Sequence, residues 1–142
     1  MSILLSIKPE FSKKIFSGEK KFEFRRQKPK KDTKFVIVYE SSPSKCIVGY
    51  FFVEMIHSGS PEEIWKECKN YGGIEEDKFF LYCRGKKVIH ALEIGETFKL
   101  DKPVDPYGID SYFTPPQNFY YINNSIALKS WKECTVVENV RV

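Results

Sequence analysis

Residues 18–26 read Gly-Glu-Lys-Lys-Phe-Glu-Phe-Arg-Arg. A glycine suited to close a helix stands directly before an alternating run, so the stretch is a turn into a strand. Successive side chains of a strand point to opposite faces. Phe22 and Phe24 therefore face one side, and Lys21, Glu23 and Arg25 the other. The two phenylalanines anchor the strand in a core, while the opposite face sets a cation, an anion and a cation at steps of about 7 Å. Lys20 stands at the strand mouth and Arg26 at its far end. A solvated face of ion pairs is the plain reading. It becomes a binding surface if neighbouring segments enclose it.

Working outward, Ser2–Lys8 is a short apolar run that ends at Pro9, as a buried strand would. Pro9 has the fixed φ of a first helical turn, and Phe11, Ile15 and Phe16 recur at helical spacing up to Gly18. Beyond a basic loop at Lys28–Lys34, Phe35–Tyr39 and Cys46–Ile56 are strands joined by the loop Glu40–Ser44. Gly49 inside the second strand marks a bulge or a close approach. Ser60-Pro-Glu-Glu opens a helix with Ser at the N-cap, Pro next and Glu at the third position. That helix stops at Gly72-Gly73, and a second one runs from about Glu75 to Gly85. Val88–Ile94 is strand again, Gly95-Glu96 a turn into Thr97–Leu100, and Asp101–Asp110 a loop with two prolines. Thr114–Ile122 has a polyproline-like start and an aromatic strand; the tail carries Ile126, Leu128 and Trp131, then a β-like Thr135–Val137.

About six or seven strands with helices inserted early and mid-chain make this an α+β protein. The expected architecture is a small, partly closed β-barrel flanked by helices, since the strands at 35–56 and 88–100 read as hairpin-linked. With 142 residues the chain is expected to form a single domain, its core at about 2–122 and an extension at 123–142. Twelve Phe and eight Tyr provide a core without covalent staples.

Net charge is +4, but its distribution is uneven. Lys8–Lys34 holds eleven Lys or Arg against four Asp or Glu, so the rest of the chain is net acidic and one side faces anions. The four cysteines form no CxxC or Cys/His cluster, and neither His57 nor His90 stands at ligand spacing from one, so no metal is expected. The N-terminal apolar run is too short for a signal sequence and no run is long enough to span a membrane; a cytoplasmic protein with reduced thiols is expected.

Taken together, Ser6-Ile-Lys-Pro9, the Gly18-x-Lys20-x-x-Glu23-x-Arg25 spacing, Tyr39-Glu-Ser-Ser-Pro43, Ser60-Pro-Glu-Glu-Ile-Trp65, Ala91-Leu-Glu-Ile-Gly95 and Pro115-Pro-Gln-Asn-Phe119 resemble the ASCH domain of the PUA-like superfamily. The resemblance covers roughly residues 2–122. It implies a β-barrel with a cleft between the loop after the first helix and the following strand, and association with RNA or with modified nucleobases or nucleotides. One bacterial branch is an amidohydrolase of N4-acetylcytidine using a Lys, a Thr and a Glu. Lys20 matches that Lys, Glu23 occupies the Thr position, and the helical Glu falls near Glu75 or Glu76. Another branch cleaves single-stranded RNA.

The residues themselves suggest an anionic, base-bearing ligand. Arg25 has a planar fork for a phosphate or a base edge, with Arg26 beyond it; Lys8, Lys20 and Lys21 are point charges for phosphate. Glu23 accepts from an exocyclic amine as carboxylates do with cytosine N4, and Ser41, Ser42 and Gln117 complete a rim. Tyr39, Tyr50 and Phe119 are candidate stacking faces, although strand aromatics are more often core. If the cleft is catalytic, Lys20 and Glu23 carry the chemistry; no Ser-His-Asp set, Walker loop or Rossmann glycine pattern occurs. Three readings follow: an RNA or nucleotide binder without a cofactor, a hydrolase on the same cleft, and a protein-interaction module whose surface is Phe119–Trp131.

Overall fold

The computed structural model describes residues 2–30, 32–109, 111–122 and 136–140. Its elements run β1 (Ser2–Ile7), α1 (Pro9–Ser17), β2 (Phe22–Arg25), β3 (Phe35–Glu40), β4 (Cys46–Gly59), α2 (Pro61–Cys68), a 3₁₀ turn (Lys69–Tyr71), α3 (Glu76–Tyr82), β5 (Ile89–Val104), α4 (Pro106–Ile109), β6 (Phe119–Ile122) and β7 (Val136–Val140). The strand order is β2-β5-β4-β3-β1-β6, with β7 beside the second half of β5. Among the described residues only β1–β3 is parallel; every other pairing there is antiparallel.

Why these segments form these elements is largely local. Pro9 starts α1, and Gly18, at φ 87°, ends it with its N–H on the Ile15 carbonyl. Ser60 Oγ accepts from the Glu63 N–H at 3.2 Å while the Glu63 carboxylate accepts from the Ser60 N–H at 3.1 Å, a reciprocal cap for α2. β1 and β3 read as unbroken apolar runs because both their faces are covered. Ile3, Leu5, Ile7, Val36 and Val38 join Ile15 and Phe16 of α1 in one cluster, whereas Leu4, Ile37 and Tyr39 point to the other face. A third cluster sets Phe24, Ile89 and Ala91 against Ile64 of α2 and Phe79 of α3.

The α+β class holds, and the barrel only in part. Among the described residues the sheet has two open ends, at β2 and β6. Closing it would require those ends to pair with each other. The outer side of β2 is instead occupied by the α2–α3 region: the Lys21 N–H donates to the Tyr71 carbonyl at 2.8 Å, and the Tyr82 hydroxyl to the Phe24 carbonyl at 3.2 Å.

Two connections also differ from expectation. Gly95 makes no turn; β5 runs through it, paired with β4 on both sides, and the missing side chain leaves room for Glu54, which a Cβ there would strike. Asp101–Val104 continues β5, and the remainder of the proline-rich stretch begins with the short α4. Gly49 satisfies both of its expectations. The register slips beside it, and an added Cβ would meet the Phe98 carbonyl and, at 2.7 Å, the Phe16 ring. Ile126, Leu128 and Trp131 lie outside the described residues, so the structure does not bear on the Phe119–Trp131 interaction surface beyond Ile122.

Candidate functional site

After Gly18 the chain bends back on α1, with the Lys20 N–H on the Lys14 carbonyl at 3.0 Å. This turn drives the Lys20 side chain inward, where it is 2% exposed. Its ammonium donates to the Gly72 carbonyl at 2.5 Å and lies 3.6 Å from Glu23 Oε1. The rings of Phe11 and Phe24 complete the cage, with centroids 5.3 and 4.9 Å from Nζ. Gly72-Gly73 makes the cage feasible. A Cβ on Gly73 would sit 2.8 Å from Lys20 Cβ and Cγ, and one on Gly72 3.2 Å from the Phe24 ring.

Glu23, also buried, is held from the other side by Arg25, whose Nη2 is 2.7 Å from Oε2 and also donates to the Ser6 carbonyl at 3.3 Å. Arg25 Nε is buried and has no acceptor among the described residues. The result is an alternating row, Lys20⁺–Glu23⁻–Arg25⁺, largely withdrawn from water. Burying such a row costs several kcal/mol per ion before attraction offsets it, so stability alone is a weak reason for it.

The row is the floor of a cleft of about 450 Å³. The end of β1 (Ser6, Ile7), the start of α1 (Lys8, Phe11), Ile74 and one face of α3 (Lys78, Leu81, Tyr82) form the walls. This volume lies within the range that takes small organic ligands. Lys8 and Lys78 are exposed at its edge, together with the carboxylate of Glu10.

Burial holds the Lys20 ammonium below the ordinary lysine value of 10.5, against the pull of Glu23, which favours the charged form. The unfolded chain therefore binds more protons between the lowered value and 10.5, so protonating Lys20 destabilises the fold and that cost fades as pH rises through this window. With lysines labelled at Cε, one NMR resonance is expected to titrate below the rest and to vanish in Lys20→Arg. Co-titration of all lysines near 10.5 would contradict this.

The cleft brings together four of the residues singled out by sequence: Lys8, Lys20, Glu23 and Arg25. The others lie elsewhere. Lys21 turns away and sets its ammonium 4.4 Å from the Tyr71 ring centroid. Arg26 donates to the Tyr82 and Arg84 carbonyls at 2.7 and 2.9 Å, at the end of α3. Tyr39 is no stacking face: it is 1% exposed and packs on Phe113. Tyr50 stacks on Phe98, and Phe119 packs against the main core. The Ser41 N–H continues the β1 edge by donating to the Ile7 carbonyl, but neither Ser41, Ser42 nor Gln117 lines the cleft. Glu75 and Glu76 are exposed and outside the cleft lining; the helical glutamate that does line the cleft is Glu10, in the first turn of α1.

Sequence reasoning missed the α3 wall and the role of Gly72-Gly73, read only as a helix stop. Two adjacent glycines after an aromatic turn were the available signal; nothing local linked them to Lys20, 52 residues away. Among the remaining chemically capable groups, His57 lies between Glu67 and Glu93 at 3.1 and 2.7 Å, and His90 pairs with Ser58 at 2.8 Å. Burial pushes the thiols of Cys68 and Cys83 up to about 12 and about 11, which leaves them protonated and unreactive near neutral pH. No group of three metal-ligating side chains occurs among the described residues, and no helix there is long and apolar enough to cross a membrane.

This fold and cleft match known proteins. The model of the ASCH domain family matches residues 5–141, and the chain belongs to that family, part of the PUA-like superfamily. The chain is 27% identical over 126 residues to an ASCH domain-containing ribonuclease of Zymomonas mobilis subsp. mobilis, covering 84% of this chain and 82% of that protein. The crystal structure of ASCH from Zymomonas mobilis superimposes with a TM-score of 0.88 at 25% identity, over 96% of this chain and 98% of that one. The large ribosomal subunit protein uL22 of Ureaplasma parvum is 30% identical over 105 residues; the match covers 73% of this chain but 34% of that protein.

Proposed function

We propose that the chain binds single-stranded RNA by seating one nucleotide in the cleft. The observation that supports this reading best is the buried Lys20–Glu23–Arg25 row at the floor of a nucleoside-sized cleft. Each Glu23 oxygen has one cationic partner, and a carboxylate has about four acceptor sites, so an exocyclic amine of a base can still be received. The unaccepted Arg25 Nε suits a base carbonyl or phosphate oxygen after a small shift of the side chain. Phe11, Ile74 and Leu81 supply apolar walls for a flat ring, and Lys8 and Lys78 meet the flanking phosphates.

Fluorescence anisotropy with labelled single-stranded RNA tests this. Affinity is expected to fall steeply with salt, and Arg25→Ala to weaken binding by more than about 1.4 kcal/mol, tenfold. Salt-independent binding, or an Arg25→Ala variant equal to the parent, would overturn it.

The relative described as a ribonuclease favours a second reading, cleavage of the bound strand. In this reading Lys20, whose ammonium loses its proton more readily than an exposed one, passes a proton while Glu23 positions it. Running the same incubations on a denaturing gel separates the two readings: cut RNA that stays intact with Lys20→Met indicates catalysis, and intact RNA with the parent protein indicates binding alone.

A further inference from the structure

Beside the cleft, two basic segments distant in sequence are tied together. Residues 25–30 (Arg-Arg-Gln-Lys-Pro-Lys) leave the end of β2, and residues 84–90 (Arg-Gly-Lys-Lys-Val-Ile-His) turn from α3 into β5. Neither contains an acidic residue. Arg26 fastens one to the other through the Tyr82 and Arg84 carbonyls, and Tyr82 is itself a wall of the cleft. Gly85, at φ 81°, makes the tight turn that presents Lys86 and Lys87, and a Tyr121 hydroxyl on the Lys30 N–H holds the other segment. The cations are not spread round the molecule. Arg25 pairs with His90 across β2 and β5, and the His90 imidazolium is disfavoured first by burial and then by both Lys28 and Lys86, which places one lysine of each segment within electrostatic reach of a single ring. Lys28, Arg84, Lys86 and Lys87 are all exposed.

Like charges held on neighbouring segments repel one another, and these are joined to the cleft through Arg26 and Tyr82. We infer that this surface is a phosphate track: a polynucleotide whose one nucleotide enters the cleft continues over Lys28, Arg84, Lys86 and Lys87, which hold its backbone without reading its bases. The inference rests on the cleft reading and adds to it the surface that holds the strand beyond the seated nucleotide. It fits a single strand because the cleft takes one unstacked base, while the track offers point charges and forks for phosphates rather than pockets for further bases.

The test uses two probes, nucleoside 5′-monophosphates and a ten-nucleotide mixed-sequence RNA, with four proteins: the parent, Arg25→Ala, Lys86→Glu/Lys87→Glu and Lys28→Glu. The charge reversals are on exposed positions, and unchanged melting confirms that they fold. The parent is expected to bind the RNA at least tenfold more tightly than any monophosphate. Both charge-reversal variants should lose that advantage while keeping monophosphate affinity, and their log–log salt slope should be shallower by roughly 0.7 per lost phosphate contact. RNA binding no tighter than monophosphate binding, or unaffected by charge reversal, overturns the track and leaves the cleft reading standing. Loss of RNA binding in the charge-reversal variants alone, with Arg25→Ala unchanged on both probes, supports the track and removes the cleft reading. A polyglutamate chain of equal charge that binds as tightly as the RNA overturns the track as a nucleic-acid surface and indicates an acidic protein partner.

Discussion

Glu23→Ala is expected to destabilise the fold by about 3–5 kcal/mol, because it strands the buried Lys20 and the part-buried Arg25 at once. Glu23 is the shared anion between Lys20, 2% exposed, and Arg25, 11% exposed at the side chain. Without it the Gly72 carbonyl, two ring faces and the Ser6 carbonyl are the recorded partners left to the pair, and none carries a compensating charge. For a chain of this size, such a loss lowers the melting midpoint by roughly 10 °C or more. Adding Lys20→Met should return part of the loss, since one stranded charge goes with it. Denaturant unfolding of the two single variants and the double variant gives the coupling directly. A Glu23→Ala protein within about 1 kcal/mol of the parent would show that water already reaches the row and that the cleft floor is not dry.

Gly73→Ala carries the second large effect. Gly73 sits at φ 67°, in the left-handed region, where a Cβ costs roughly 1–2 kcal/mol. The new methyl would also lie 2.8 Å from Lys20 Cβ and Cγ, and overpacking of that kind costs about 1–3 kcal/mol more. A total of about 2–5 kcal/mol is expected, and with it a displaced Lys20 ammonium. Gly85→Ala is the control: it shares the left-handed backbone, at φ 81°, but its added Cβ meets nothing within 4 Å. Equal melting points for the two variants would mean that only backbone strain matters at residue 73 and that the Lys20 cage is loose.

Much of the architecture was legible because its causes are short-ranged. The Ser60/Glu63 cap, the Pro9 start and Gly18 end of α1, and the alternation along β2 each depend on residues within a few positions of one another. The failures came where a distant partner decides. Gly95 has the composition of a turn, yet the strand continues through it because β4 pairs with β5 on both sides, and the glycine makes room for Glu54. A partly closed barrel was expected because the strands at 35–56 and 88–100 read as hairpin-linked, but the α2–α3 region covers the outer side of β2. Among the site residues, Lys8, Lys20, Glu23 and Arg25 converge, while Lys21 and Arg26, chemically as suitable, are turned to Tyr71 and to the end of α3.

By itself the sequence determined the α+β class, the order of the elements and the charged face carrying Glu23 and Arg25 opposite Phe22 and Phe24, because side-chain alternation is a property of the extended backbone at each residue. Only the tertiary structure decided that this face is roofed. Ile74, α3 and the glycine pair reach it from more than 45 residues along the chain, and such a meeting depends on how the helices pack on the sheet rather than on any local preference.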